Sequence, residues 1–152
     1  MYARDDSPVA EARYRARFYF NPNSIAMVSG DYTYPLEGRD AANNIVLRIQ
    51  FKRSSIGYQL AARAYDSALA NWVATPYVNI TNGLHVVEVD WGNDGHLGFW
   101  VDGVPQGSLT GINNAIYNID SVRLGATYVT ATVSGSYFID AFESRRQTYI
   151  GP

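Results

Sequence analysis

Glu88 and Asp90 are the residues of this chain whose type and spacing most directly suggest chemistry. They stand two positions apart in the stretch LHVVEVDW (84–91), where alternation predicts a strand with both carboxylates on one face. Retaining glycosidases use two carboxyl groups about 5–5.5 Å apart as nucleophile and acid/base. The next position in this register is Gly92 instead of an acid, and Asp94 falls in the following turn. We therefore predict that the pair is not catalytic.

A second strand is predicted directly after this one. The turn at 93–95 is followed by an alternating stretch over 97–101, in which Leu97, Phe99 and Val101 share one face and Trp100 lies on the other. Trp100 is therefore expected to point outward beside Glu88. An exposed Trp next to carboxylates indicates either a binding surface or a solvated sheet face.

Planar polar side chains are predicted on two further strands. The segments 45–52 and 57–65 alternate as a hairpin that turns Arg48, Gln50 and Arg63 outward. Sugars stack an apolar face on aromatic rings and pair their hydroxyls with amide, carboxylate and guanidinium groups. We therefore predict a glycan-binding face with Tyr65 as a second platform. The candidate ligand-binding residues are Trp100, Glu88, Asp90, Arg48, Gln50 and Arg63.

Two structural alternatives apply to these charged residues. The first is a solvated face on which Glu88 and Asp90 pair with Arg48 and Arg63 across neighbouring strands. The second concerns a basic stripe in the predicted strand 12–21. This stripe either binds an anionic polymer or pairs with acids on adjacent strands, for which Glu143 and Glu11 are available. The stripe consists of Arg13, Arg15 and Arg17.

Composition limits the class of protein. The 152 residues predict one domain, 1–152, and the net charge of −2 argues against a nucleic-acid partner. No apolar run is long enough to span a membrane, and the first residues lack a signal peptide's apolar segment. If the protein is exported, its export signal is therefore expected outside this chain.

The strand pattern predicts the architecture. Many short strands without a repeat predict an all-β fold, a two-sheet antiparallel jelly-roll β-sandwich. The segment 29–44 is predicted as a loop, and 66–73 is the one helix candidate, although it fits a loop as readily. The chain reads as if it began partway into a strand, so a missing first strand would leave an open sheet edge that favours pairing with another chain.

The pattern resembles the concanavalin A-like, laminin-G-like jelly-roll modules of bacterial surface or secreted proteins. In that family a strand ending in Trp leads through a short turn to an apolar strand that closes on Val-Asp-Gly, as LHVVEVDW, GNDGH and LGFWVDG do here. SVRLG (121–125) and YFIDAFE (137–143) match the family's following strand and its final strand. The resemblance covers roughly residues 12–146 by strand order.

The resemblance implies a function as well as a fold. It implies a non-catalytic, extracellular carbohydrate-binding or adhesive module that binds a glycan or polysaccharide. The alternative is a structural or assembly domain that forms homo-oligomers through an open sheet edge, and the third reading is a glycoside hydrolase of the same fold. The family often holds a structural calcium ion at the position of Asp140, with Asp5, Asp6 and Glu11 as further oxygen donors.

Overall fold

The structure, a computed structural model, describes residues 1–146 together with residues 148 and 150. That part of the chain forms twelve strands in two antiparallel sheets and contains no helix. Accordingly, no helix of the described residues is long and apolar enough to cross a membrane. The predicted antiparallel jelly-roll sandwich is confirmed.

Sheet A has seven strands. They are β1 (Tyr2–Asp5), β3 (Tyr32–Arg39), β4 (Ile45–Ser54), β5 (Gly57–Asp66), β6 (Asn71–Ala74), β7 (Val78–Ile80) and β11 (Ser121–Gly125). Their order across the sheet is β1-β11-β3-β4-β5-β6, and β7 also pairs with β5.

Sheet B has five strands. They are β2 (Arg13–Asn21), β8 (His85–Gly92), β9 (His96–Val101), β10 (Val104–Leu109) and β12 (Phe138–Arg145). Their order is β10-β9-β8-β2-β12, so β2 and β8 lie at the centre of this sheet.

The core lies between the two sheets and follows from period-two alternation. In β2 every second side chain is fully buried, and the alternating apolar side chains of β4, β5, β8 and β9 are buried as well. In β4 and β5 the small outer side chains of Val46 and Ala61 are also covered. The predicted inward faces of these strands are therefore confirmed. The largest fully buried side chains are Trp91, Tyr14, Phe18, Phe20, Phe51 and Phe99.

Two local predictions are wrong. The segment 29–44 contains β3, whose apolar pattern is interrupted by a register shift between Thr33 and Leu36 where it pairs with β4. The segment 66–73 forms a turn and then β6, because the Asp66 carboxylate accepts the backbone N–H groups of Ala68 and Leu69 and closes a tight bend.

The N-terminal strand occupies the edge of sheet A. β1 pairs antiparallel with β11 from Tyr2 opposite Gly125 to Asp5 opposite Val122. On the described residues β1 has no partner on its other side, and β12 is likewise the last strand of sheet B. Both sheets therefore end in open strands on the same side of the sandwich.

Candidate functional site

The structure divides the six predicted ligand-binding residues between two faces. Arg48, Gln50 and Arg63 lie on β4 and β5 and point outward from sheet A. The other three, Glu88, Asp90 and Trp100, lie on β8 and β9 and point outward from sheet B. The expectation of one shared face is therefore wrong. Alternation tells the inner side of a strand from its outer side, but it does not say to which sheet the strand belongs.

On sheet B, Asp90 is bound by arginines of the neighbouring strand. Arg13 donates from Nε to Oδ1 at 2.8 Å and from Nη2 to Oδ2 at 2.6 Å, and Arg15 Nε lies 3.0 Å from Oδ2. Burial alone would raise the pKa of Asp90, but the two arginines outweigh it and lower that pKa. Asp90 is thus held as a carboxylate by structural partners.

Glu88 has the opposite electrostatic environment. It is only 4% exposed and stands between Arg17 of β2 and Trp100 of β9. Burial raises the pKa of Glu88, and Arg17 only partly opposes the shift. One of its oxygens, Oε1, is buried without a hydrogen-bond partner among the described residues. The expected pairing of this carboxylate with Arg48 or Arg63 does not occur, since those residues lie on the other sheet.

The sheet B face therefore does not resemble a glycosidase centre or an open aromatic platform. Asp94 lies in the turn after β8, 3.8 Å from Arg13, and does not extend the carboxylate pair. The Trp100 ring folds back over Gly98, where it lies 2.5 Å from the place a Cβ would occupy. The stripe of β2 arginines faces acids on adjacent strands, as the structural alternative expected, although Glu11 pairs with Arg146 instead.

On sheet A, Arg48 is the central residue of the outer face. Its guanidinium carbon lies 4.3 Å from the ring centroid of Tyr34 and 4.5 Å from that of Trp72. Its Nε donates to Oε1 of Glu37 at 3.2 Å, and Arg39 donates to the other oxygen at 2.8 Å. Glu37 is 1% exposed, so one buried carboxylate orients two guanidinium groups.

Gln50 and Arg63 form a second polar group beside it. Gln50 Oε1 accepts from Arg63 Nη1 at 2.9 Å and from the Tyr77 hydroxyl at 2.6 Å. Burial raises the pKa of Tyr77, and the ammonium of Lys52 lies 3.4 Å from the centroid of its ring. The phenol is therefore neutral near pH 7 and orients Gln50.

A cleft of about 450 Å³ opens at this face next to Arg48. Tyr65 contributes an aromatic wall, since its ring lies edge-on to Trp72 at 5.6 Å and to Tyr117 at 6.1 Å. Arg39, Asn43 and Asn44 supply guanidinium and amide groups at the opposite end. The arrangement combines aromatic rings with planar polar groups, which is the combination that sugar recognition needs.

Asp66 fixes the loops that shape this cleft. It accepts from the backbone N–H of Asn113 at 3.0 Å as well as from Ala68 and Leu69. The N–H groups of Asn113 and Leu69 lower the pKa of Asp66. The same Asp therefore holds the turn before Trp72 and the loop that carries Tyr117.

The sequence analysis missed much of this face. The missed side chains come from β3, from β6, and from positions outside the predicted strands. Trp72 lies in the stretch NWVA (71–74), which is too short to show a period and overlaps the segment 66–73 that is predicted as helix or loop. The missed residues are Tyr34, Glu37, Arg39, Trp72, Tyr77 and Tyr117.

The predicted calcium position at Asp140 has few free oxygen donors around it. Asp140 lies on β12, where its Oδ1 accepts the N–H of Ala141. Of its expected companions, Asp6 pairs with Arg4 at 2.6 Å and Glu11 with Arg146 at 3.2 Å. The described residues include no group of three or more acids, histidines or cysteines that could hold a metal ion.

A larger cavity than the cleft of sheet A lies elsewhere and has a different character. It measures about 870 Å³ and opens between β1 and β12, with a lining that includes Ile25, Leu124, Val133 and Phe138. Its lining is mostly apolar, so it offers a hydroxyl-rich ligand few partners. The aromatic and polar cleft of sheet A is the better candidate for a sugar site.

No protein-family model matches this chain, and no curated protein matches it. Solved structures do. A heptameric SAP-like pentraxin from Limulus polyphemus aligns with a TM-score of 0.66 at 14% identity, over 94% of this chain and 68% of that one. A tetrameric galectin from the sponge Cinachyrella sp. aligns with a TM-score of 0.60 at 11% identity, over 95% and 99%.

A polysaccharide lyase shares the fold as well. The alginate lyase from Alteromonas sp. 272 aligns with a TM-score of 0.59 at 8% identity, over 96% of this chain and 79% of the lyase. These similarities define the class: the chain has the concanavalin A-like jelly-roll fold, as the pentraxin, the galectin and the alginate lyase do. At these identities the similarity shows the fold alone.

Proposed function

We propose that this protein is a non-catalytic carbohydrate-binding module whose glycan site is the outer face of sheet A. The observation that carries the proposal is the cleft in which Trp72, Tyr65 and Tyr117 stand beside Arg48 and Arg39. Rings of this kind bury the apolar face of a sugar, while guanidinium and amide groups pair with its oxygens. The galectin structures of the same fold support this choice of ligand class.

The polar groups of this face are pre-oriented, which lowers the cost of binding. Glu37 fixes Arg39 and Arg48, and Gln50 is fixed by Arg63 and Tyr77. Side chains that are already ordered lose less conformational freedom when a ligand binds. The predicted contributions of Arg48, Gln50 and Arg63 therefore remain part of the proposal, whereas Glu88, Asp90 and Trp100 are assigned to the structure of sheet B.

Catalysis is not part of the proposal. Asp90 is engaged by two arginines, and Tyr77 has a raised pKa, which makes its phenol a poor base near neutral pH. Because an alginate lyase shares the fold, incubation of the protein with a uronate polymer tests this assignment. Formation of unsaturated sugar ends would contradict the non-catalytic assignment.

An extracellular location and a structural calcium ion at Asp140 are further parts of this proposal. The alternative function is assembly through open strands, for which β1 and β12 provide free edges on the described chain. Sedimentation velocity distinguishes the two functions. A monomer that binds glycans fits a binding module, and an oligomer without glycan affinity fits the assembly role.

The experiment is a binding screen against soluble polysaccharides and a glycan array, with calcium and with a chelator. Trp72→Ala is compared with Trp100→Ala, a matched removal of a Trp from the other sheet. We expect binding that falls at least about tenfold in Trp72→Ala and is unchanged in Trp100→Ala. Loss in Trp100→Ala alone, or no binding to any glycan, would overturn the proposal.

A further inference from the structure

One row of side chains across the sheet A face carries an excess of positive charge. Arg123, Glu37, Arg48 and Arg63 stand in register on β11, β3, β4 and β5. Opposite charges in such a row stabilise a sheet, and like charges directly opposite destabilise it. Arg4 of β1 continues the row opposite Arg123 and pairs with Asp6. Glu37 separates Arg123 from Arg48, but Arg48 and Arg63 face each other with no acid between them.

The arginines of sheet B are arranged differently. Arg17 stands between Glu143 and Glu88 in its row, and Asp90 receives Arg13 and Arg15. Arg145 of β12 stands opposite Arg15, but each of these two has a carboxylate partner, Glu143 for Arg145 and Asp90 for Arg15. On sheet A the buried Glu37 accepts from both Arg39 and Arg48, and among the described residues Arg63 has no carboxylate partner.

The carboxylate and amide oxygens beside Arg48 and Arg63 are already occupied. Both oxygens of Glu37 accept from arginines, and Oε1 of Gln50 accepts from Arg63 and Tyr77. The groups around Arg63 still offer hydrogen-bond donors. Among the described residues, Arg63 makes no ion pair, and neither its Nη2 nor the amide nitrogen of Gln50 has a protein acceptor.

Donors without acceptors favour a ligand group that only accepts. A neutral sugar hydroxyl both donates and accepts, whereas a carboxylate or a sulfate accepts only and matches the fork of a guanidinium. Such a group would also relieve the repulsion between Arg48 and Arg63. The aromatic wall of Trp72 lies next to both, 4.5 Å and 6.0 Å from their guanidinium carbons.

We propose that the ligand of the sheet A face is an acidic polysaccharide whose carboxylate or sulfate binds to Arg63 and Arg48 while its ring packs on Trp72. This inference rests on the proposed glycan-binding function and narrows its ligand class. Arg63 would receive the anion with its free terminal nitrogen, and the Gln50 amide would donate to the same group. Arg48, held by Glu37, would close the other side.

The probe is an alginate oligosaccharide, compared with the same oligosaccharide after its carboxyl groups are reduced to hydroxymethyl groups. Isothermal titration at low salt is expected to show about tenfold or greater preference for the acidic form, and the preference is expected to shrink as salt rises. A sulfated dextran arm and a neutral dextran arm show whether carboxylate or sulfate is preferred. Equal binding of acidic and reduced forms would overturn the inference.

Variants locate the charge effect. Arg63→Gln is expected to lose about tenfold for the acidic oligosaccharide and to keep the affinity for the reduced one. Arg4→Gln removes the same charge at the far edge of the same row, where Arg4 pairs with Asp6, and is expected to bind normally. Equal losses of affinity in both variants would show that the acidic oligosaccharide is attracted by the overall charge and not by a specific site, and would contradict the inference.

The two proposals fail in different ways. Binding of neutral glycans alone, abolished by Trp72→Ala, would refute the acidic ligand and leave the carbohydrate-binding function standing. No binding of acidic, reduced or neutral polymers would refute both. Should Arg63→Gln unfold, the salt dependence and the acidic-to-reduced ratio of the unmodified protein decide the question.

Discussion

Arg48 and Arg63 lie directly opposite each other on β4 and β5, and no carboxylate stands between them. Arg48 is nevertheless held by its surroundings, because its guanidinium carbon lies over the rings of both Tyr34 and Trp72 and Glu37 accepts from its Nε. A guanidinium is planar and weakly hydrated, so it stacks on aromatic rings. The compact, strongly hydrated ammonium of a lysine has no flat face to stack. The pair therefore marks the point of sheet A where the protein holds positive charge in place.

Replacing Arg48 by Lys keeps the charge and removes the planar group. We expect Arg48→Lys to lower the free energy of unfolding by about 1–2 kcal/mol, because contact with two rings is lost, and to weaken glycan binding. Urea denaturation and titration with a bound glycan measure the two effects. Arg123→Lys is the matched control, since Arg123 stacks on the single ring of Tyr2 at the sheet edge. Equal effects in both variants would contradict the central role of Arg48.

Removing the charge of Glu37 is expected to destabilise the fold. Its two oxygens accept from Arg39 and Arg48 in a position that is almost fully buried. Glu37→Gln leaves two guanidinium groups with one neutral acceptor, so we expect a loss of about 2–4 kcal/mol in urea denaturation. A loss below roughly 0.5 kcal/mol would show that Glu37 does not organise this face.

The two carboxylates of β8 are expected to respond oppositely to pH. Despite burial, Arg13 and Arg15 lower the pKa of Asp90, so its stabilising contribution is present at neutral pH and is lost as pH falls through the lowered pKa. We expect Asp90→Asn to cost about 3 kcal/mol at pH 7 and progressively less in acid. Denaturation curves from pH 2 to 8 measure this, and a cost independent of pH would contradict it.

Glu88 behaves in the reverse sense. Burial raises its pKa, so its protonated form suits the fold, and that contribution is lost as pH rises through the raised pKa. Glu88→Gln is therefore expected to match the unmodified protein in acid and to be the more stable of the two at pH 8. The same denaturation series measures it. A variant that is less stable at pH 8 would show that Arg17 outweighs burial at this position.

Asp66 is expected to control the cleft without touching the ligand. Asp66→Asn keeps the size of the side chain but weakens its bonds to the N–H groups of Leu69 and Asn113. We expect faster hydrogen exchange in residues 111–117 and weaker glycan binding, with exchange in β2 and β8 unchanged. Unchanged exchange at the Asn113 amide would contradict the role assigned to Asp66.

The sequence predicted the parts of the fold that depend on local alternation. β2 and β8 read as strands because apolar residues recur at every second position, over 14–20 in β2 and over 87–91 in β8, and these positions are buried. β3 was missed because its pairing with β4 shifts register between Thr33 and Leu36, which breaks the period.

Only half of the predicted ligand-binding residues belong to the candidate site, because the order of strands in a sheet depends on pairing between distant parts of the chain. Arg48 and Arg63 belong to one hairpin, so their proximity follows from the chain itself. The membership of Glu88 and Trp100 in the other sheet follows from long-range pairing with β2, which alternation does not encode. Trp72 completes the site from a four-residue strand, too short for a periodic signal.

The most direct measurement is an NMR titration of the isotopically labelled protein with an acidic oligosaccharide. We predict that the shifted amides lie in residues 47–52, 59–65, 71–74 and 111–117, around Arg48, Arg63 and Trp72 on sheet A. The amides of β2, β8 and β9 on sheet B should stay unchanged. Shifts confined to sheet B, around Trp100, would contradict the account.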